Sequence, residues 1–341
     1  MPSWKWKWVN AFFRRPSMPS MPSTPTKPLR SPVKPQNKTL YSYDARKSLW
    51  CPTSEASGTS SDYHPNAPLF SLVSWNVDFA APLVVRRFQA ALSHLEQLLS
   101  STPPPPPTIV LLQEVHSSCF KPLLSNAFIR KFYQVTNISS PHSYSTITLV
   151  PHSLASLVSS VSRIPFAETR MQRDCLYFDL AVPMSGGPAP KTLRFRIANT
   201  HLESLSGFGD RARPKQLEAI STLLTASGVD GGLVAGDMNS ISPSDQNLPE
   251  EVGLSDAWLA TGAVKNTETG ETGDTGEAEG HTWGYQPRCQ YPPRRLDKIL
   301  TVGKLEAVEL QRVGVGLKVE GRATMWVSDH YSLFAKISLS S

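Results

Sequence analysis

Six times along this chain a short apolar run ends in a carboxylate, a carboxamide or an imidazole. The strings are SWNVD (74–78), LLQEV (111–115), NTHLES (199–204), GDMNS (236–240), RLDKI (295–299) and SDH (328–330). Runs of this length suit buried β-strands better than helices. A polar side chain at the end of a buried strand sits at the rim of a sheet, where strand meets loop. Six such ends require a fold that gathers them into a pocket of hard oxygen ligands and histidines. That chemistry suits a divalent metal ion and a phosphate ester.

The segments between the strings fill in the fold. FSLVSWNVDF (70–79) reads as a buried strand, VVRRFQAALSHLEQLLS (84–100) has apolar residues at helical spacing, and TIVLLQEV (108–115) is again a strand. STPPPPP (101–107) cannot continue a helix and predicts a stiff surface connection. Further strands are predicted at 145–150, 175–182, 192–202, 232–238, 295–302 and 330–337, and a second helix at 212–226. MSGGPAP (184–190) predicts a hairpin turn. NTETGETGDTGEAEG (266–280), acidic and rich in Gly and Thr, predicts an exposed loop. Strands interleaved with few helices predict an α/β chain, a four-layer sandwich of two packed mixed sheets flanked by helices. The folded domain is expected to span 69–341.

Charge matters through its distribution. Of the formal +6, residues 1–43 hold eight Lys or Arg and no acid, leaving 26 basic and 28 acidic side chains, net −2, in the rest. A near-neutral domain argues against a broad duplex-binding face and leaves room for a local basic patch. Residues 1–68, rich in Pro, Ser, Thr and Lys, predict a disordered basic tail that is dispensable for chemistry. Its start, WKWKWVNAFFRR, fits a mitochondrial address, a membrane-surface contact or a solvated tail. Lys5 and Lys7 interrupt what a secretory signal would keep apolar. No apolar run reaches 18 residues, so no membrane span is expected. Cys51, Cys119, Cys175 and Cys289 are scattered without CxxC or zinc-ligand spacing and predict reduced thiols.

Each polar string has a chemical reading and a plain one. Glu114 suits Mg²⁺, which often takes only one or two protein carboxylates; alone it would equally make a surface ion pair. Asn76, in a buried strand, must find partners or cost roughly 1–3 kcal/mol, unless it closes an Asx turn. Asp78 orients the site or caps the next segment. Gly236 permits a tight strand exit, after which Asp237 and Asn239 share a side. A base beside an amide can deprotonate a water and hold a phosphate oxygen; D-x-N is also a common turn. His201 and Glu203 share one face with Asn199, and His201 is either a donor to phosphate or a satisfied core histidine. His330 has a carboxylate partner in Asp297 on a neighbouring strand. Such a pair keeps imidazole cationic and oriented, which suits a pentavalent phosphate, with Asp329 beside it.

Taken in order, the strings resemble those of the endonuclease/exonuclease/phosphatase superfamily, over about residues 69–339. The resemblance implies a Mg²⁺-dependent phosphoesterase on a two-sheet α/β sandwich. Within that superfamily, WNVD, LLQEV, THLES, GDMN and SDH are most similar to the 5′-tyrosyl-DNA phosphodiesterase branch. TRMQRDCLYF (169–178), ARPKQLEAI (212–220), SDAW (255–258) and HTW (281–283) agree with it. The resemblance implies Glu114 as the Mg²⁺ ligand, with Mn²⁺ as a substitute ion, and Asp237 as base. Asn76 and Asn239 would place water and phosphate, His201, Ser204 and His330 would grip the phosphate, and Asp297 would orient His330. Trp283 and Asp329 would contact substrate. The implied reaction is hydrolysis of a 5′-phosphotyrosyl link between DNA or RNA and protein, in DNA repair. The expected setting is nuclear, or mitochondrial through the basic N-terminus, and the expected state a monomer. Two departures stand out. Ser240, Ile241 and Ser242 follow Asn239 where that branch usually carries a basic residue, and Asp210 stands where positive charge would help. Abasic-site endonuclease, deadenylase and inositol-phosphate phosphatase activities stay open, as does an inactive scaffold.

Overall fold

Two mixed β-sheets pack face to face in the computed structural model, which describes residues 34–53, 68–100, 106–184, 191–261, 280–322 and 324–340. In chain order the strands are β1 (Gln36–Asn37), β2 (Tyr41–Asp44), β3 (Leu49–Pro52), β4 (Phe70–Asn76), β5 (Thr108–His116), β6 (Tyr133–Val135), β7 (Tyr144–Pro151), β8 (Val158–Pro165), β9 (Asp174–Met184), β10 (Lys191–His201), β11 (Gly231–Asp237), β12 (Ser255–Asp256), β13 (Asp297–Gly303), β14 (Leu305–Val313) and β15 (Ser332–Leu339). One sheet runs β1-β8-β9-β10-β11-β13-β12, the other β14-β15-β4-β5-β7-β6-β2-β3. All the strands predicted from the sequence are present.

Strand alternation explains the layers. Leu72 and Leu111 point between the sheets, where they join Phe178, Phe195, Leu233 and Ile299. Their neighbours Val73 and Leu112 point the other way and meet Phe88, Leu92 and Leu95 of the helix Val84–Leu99. On the far side, Ala198, Val234 and Leu300 lie under Leu217, Ile220 and Leu224 of the helix Phe208–Leu224. The order is helix, sheet, sheet, helix. β4 and β5 form a parallel pair deep in their sheet and are buried on both faces. That is why they read as continuous apolar runs rather than alternating ones.

The domain begins earlier than the sequence indicated. Residues 36–52 are not tail: β1 pairs antiparallel with β8 in one sheet, while the β2–β3 hairpin joins the other sheet through Tyr41 opposite Val135. Leu40, between the two pairings, is buried in the same apolar cluster as Leu154, Leu157 and Val161. The stretch KTLYSYDARKSLWCP has no long continuous apolar run, because edge strands are retained largely by backbone pairing and show solvent one side. The rest of the predicted tail, residues 1–33 and 54–67, lies outside the described residues, as do 101–105, 185–190 and all but Gly280 of the acidic loop. The second helix starts four residues before its predicted position, at Phe208, because the Asp210 carboxylate accepts the Gly207 N–H and caps it. Among the described residues no helix is long and apolar enough to cross a membrane.

Candidate active site

Strand register assembles the pocket. β10, β11 and β13 are neighbours, and their pairing sets His201 opposite Asp237 and Asp237 opposite Asp297. Gly236 permits the close approach of β11 to β10: a Cβ there would lie 1.9 Å from the Thr200 carbonyl oxygen, and its φ is 149°. From the facing sheet, Asn76 at the end of β4 donates through Nδ2 to Asp237 Oδ2 at 2.9 Å. The Asp237 Oδ1 accepts the backbone N–H of Asn239 at 2.9 Å. A bulge in β5 between Leu112 and Val115 sets Glu114 at φ 58°, re-aiming its side chain as bulges beside active sites do. The Glu114 Oε2 accepts the Phe79 N–H at 3.1 Å, and Oε1 lies 3.9 Å from His201 Nε2. His330 enters just before β15. Ser328 Oγ accepts its N–H at 3.0 Å and itself donates to the Asn76 carbonyl at 2.6 Å. Asp78, Glu114 and Asn239 all have positive φ, so backbone strain is concentrated around one pocket.

The two histidines flank Asp237 and are held by different partners. Arg173 Nη1 lies 2.8 Å from His201 Nδ1. That contact orients the ring, and its Nε2 points at Asp237 Oδ2 at 3.3 Å. His330 is held by a carboxylate. Its Nδ1 lies 2.7 Å from Asp297 Oδ2, an oxygen that also receives the Thr282 hydroxyl at 2.6 Å. Burial opposes the His330 imidazolium, but Asp297, Asp329 and Asp237 outweigh it and raise the group to about 10. Burial also pushes the Asp297 carboxyl up, yet two donors converging on Oδ2 mark a carboxylate, with the shared proton on the imidazole. Burial works against ionising Asp237 too, and His201 and His330 reverse it, holding the group well below the usual carboxylate range. A fully ionised acceptor thus sits 3.8 Å from a cationic donor, His330 Nε2.

Two groupings have donors suited to a divalent cation. Ligand atoms of Asp237, Asp297 and His330 lie within 4.8 Å of one another. His330 is already hydrogen-bonded to Asp297, however, and Asp237 to Asn76 and the Asn239 N–H, and a protonated imidazole does not ligate a metal. Asp297 Oδ1 has no partner within that triad. Glu114 fits a hard cation better, as one buried carboxylate beside a groove with space for water and phosphate oxygens.

The other predicted residues divide clearly. Ser204 is half-buried at the rim, held by Arg213, whose Nη1 donates to the Glu203 and Leu205 carbonyls on either side. Trp283 pairs with the His330 backbone and donates through Nε1 to Asp329 Oδ2 at 3.1 Å. Asn239 donates one amide hydrogen to the Leu202 carbonyl at 2.9 Å. Three polar residues serve structure. Asp78 pairs with buried Arg87 at 2.9 Å and caps the next segment through Ala80 N–H. Asn199 ties the sheets together through Gln113 and the Ile147 carbonyl. Glu203 anchors Thr169 and the Arg170 N–H. Asp210 is not set against a substrate, because its carboxylate is engaged with Arg213, Ser242 and Gly207. Reading the strings alone missed Arg173, Thr282 and Tyr144. Arg173 and Thr282 do lie in the segments TRMQRDCLYF and HTW, but no spacing announces their partners. Tyr144 stacks on Phe79 with centroids 4.1 Å apart, and the Arg173 guanidinium lies 5.5 Å from the Tyr144 ring. Glu114, Tyr144, Arg173 and His201 share a groove of about 920 Å³.

A buried, ionised carboxylate between two imidazoles, at the rim of two stacked sheets, suits a phosphoric-ester hydrolase. Residues 73–330 match the endonuclease/exonuclease/phosphatase family, and the chain belongs to it. It is accordingly a metal-dependent hydrolase of phosphodiester bonds. No curated protein sequence matches the chain. Among solved structures, TDP2 from Caenorhabditis elegans is 20% identical, with 80% of this chain and 74% of that one covered at a TM-score of 0.59. Danio rerio TDP2 complexed with a single-strand DNA product is 21% identical, covering 79% and 98% at 0.59. The human Nocturnin catalytic domain with bound sulfate is 19% identical, covering 80% and 93% at 0.52. At these identities the likeness is one of fold.

Proposed function

We propose that this hydrolase cleaves the 5′-phosphotyrosyl link between a nucleic acid strand and a protein, with Mg²⁺ as the ion and Mn²⁺ as its substitute. The observation that carries the reading is the groove meeting Glu114 and His201: its Tyr144 face, backed by Phe79 and flanked by the Arg173 guanidinium, suits an aromatic leaving group. The segment after Trp283, which itself pairs with His330, exposes Arg288 and Tyr291. Basic and aromatic groups together track and stack a single strand, and they stand in for the missing basic residue after Asn239. The single-strand DNA product held by the Danio rerio TDP2 supports the same substrate class.

Glu114 would hold the cation, which supplies Lewis-acid polarisation of the phosphoryl oxygen and lowers the pKa of water. Asp237 accepts the proton of the attacking water, its carboxylate aimed by Asn76 and the Asn239 N–H. The His330 imidazolium, oriented by Asp297, donates to charge building on the phosphoryl oxygens. His201 donates from Nε2 and Ser204 from the rim. Neutralising Asp237 would remove the base and leave the donors in place. We assign the setting to nuclear DNA repair, testable by imaging the tagged chain.

The test is a panel of 5′-tyrosyl DNA, 3′-tyrosyl DNA, abasic duplex, poly(A) and inositol phosphates, each with Mg²⁺, Mn²⁺ and chelator. The reading expects metal-dependent turnover of the 5′-tyrosyl substrate above all others. Preferential turnover of poly(A), abasic duplex or inositol phosphates would overturn it.

A further inference from the structure

The groove is larger than a tyrosine needs, and part of its wall is the segment Gln36–Tyr41. Gln36, Lys38, Thr39 and Tyr41 line the same 920 Å³ space that reaches Glu114 and His201. Volumes of roughly 300–1,000 Å³ hold a whole drug-sized ligand, so a single phenol ring leaves much of this groove unfilled. We propose that the segment-walled end is a docking site for the polypeptide flanking the linked tyrosine, taken up in extended form. This rests on the phosphotyrosyl reading above and says where the protein half of that substrate lies.

The wall is rigid before any ligand arrives. Gln36 and Asn37 pair with Arg163 and Ser162, the Lys38 N–H donates to the Val161 carbonyl at 2.8 Å, and the Thr53 N–H donates to the Leu40 carbonyl at 2.9 Å. Leu40 is buried beneath. A preformed wall spares the ordering cost that a mobile segment would add on binding.

A tyrosine seated at the Tyr144 face must continue as polypeptide into this end of the groove. Arg163 is neutralised by Asp174, with Nη1 at 2.6 and 2.7 Å from the two carboxylate oxygens. Arg170 lies over the Phe208 ring at 4.4 Å, and Arg173 is committed to His201. Lys38 Nζ donates to Gln36 Oε1 at 3.2 Å. The lining is of mixed charge, with Lys38, Arg163, Arg170 and Arg173 beside Glu114 and Asp174, and Thr39, Thr136, Asn137 and Ser139 add neutral hydroxyls and an amide. Groups of that kind match the alternating N–H and C=O of an extended peptide.

The experiment compares two substrates on the full chain. One is an oligonucleotide bearing 5′-phosphotyrosine; the other is the same oligonucleotide with that tyrosine inside a short uncharged peptide. A few added hydrogen bonds predict a kcat/KM about tenfold higher for the peptide substrate. Gln36→Ala with Lys38→Ala should bring that ratio towards unity by raising KM for the peptide substrate. Thr39→Arg, which blocks the groove from its exposed side, should do the same, and thermal melting establishes that each variant is folded. A wild-type ratio of one overturns this inference and leaves the phosphotyrosyl reading standing. Losses that track oligonucleotide length rather than peptide make the groove a nucleic-acid path and also overturn it. Turnover of neither substrate overturns the parent reading and this one with it.

Discussion

The pairing of Asp297 with His330 can be tested quantitatively. Asp297→Asn keeps the shape of the side chain and removes the charge that faces Nδ1 at 2.7 Å. A hydrogen bond to a charged group contributes about 1.5–3 kcal/mol, which at 1.36 kcal/mol per decade is a loss in kcat of roughly 10- to 150-fold. His330→Ala removes the donor itself and should cost roughly 10²–10³-fold. If Asp297 acts through His330, the double variant should be no slower than His330→Ala, to within a factor of about two or three. Hydrolysis of p-nitrophenyl thymidine 5′-monophosphate reads all four proteins. The pH profile gives a second check. In the native protein His330 is raised from its ordinary 6.5 to about 10, so the imidazolium persists through neutral pH. Its stabilising contribution is complete below the unfolded value of 6.5 and is lost as pH rises through about 10. Asp297→Asn removes the main cause of that rise, so the basic limb of kcat and of the melting temperature should shift towards neutrality. Fully multiplicative losses in the double variant, or an unmoved basic limb, would refute the coupling.

Four further outcomes are expected. Glu114→Gln should cut turnover and weaken Mg²⁺ and Mn²⁺ binding in calorimetry; an unchanged binding isotherm would exclude it as the ligand. Leu40→Ala should cost about 2–5 kcal/mol as a large-to-small core change, read from urea midpoints, and a loss under about 0.5 kcal/mol would show that the segment 36–52 is not docked. Gly236→Ala should cost roughly 3 kcal/mol or more, because the 1.9 Å approach is to backbone that cannot move aside; a variant melting with the wild type would contradict that register. Asp237, held low in the folded state, contributes stability above the ordinary 3.8 that is lost as pH falls through its depressed value. Asp237→Asn should flatten the acid limb of the melting curve, and an unaltered limb would show that the carboxylate is not stabilised as described.

Most of the site is legible in the sequence because its residues end buried strands. Asn76, Glu114, His201 and Asp237 lie at or near the ends of apolar runs and Asp297 opens one on an antiparallel neighbour, so all collect at one rim of the sandwich. What pairing does to them is another matter. Nothing in THLES says that Arg173 accompanies His201, since the partner lies 28 residues away and only the β9–β10 pairing brings it near. Asn199 has the same spacing as His201 along β10, yet it is drawn between the sheets by Gln113. Period alone cannot tell which of two alternate positions looks into a pocket and which into the core. β8 and β14 escaped notice for the reason that hid residues 36–52: they lie at or beside the sheet edges, half in solvent, and need no apolar run.

β15 is the penultimate strand of its sheet in space but the last of the described strands in sequence. It lies between β14 and β4, with Ile337 opposite Phe70. During synthesis the chain therefore presents β4 with one flank unpaired until every other described strand has been made, a long-range closure of the kind that folds slowly and late. His330 stands two residues before that strand. A nascent chain that has reached β13 already contains His201, Asp237 and Asp297, yet it has neither the imidazole that completes them nor the strand that holds it in place. A chain stopped after β13 should therefore lack both the phosphate donor and the partner strand of β4, and gain both when β15 pairs.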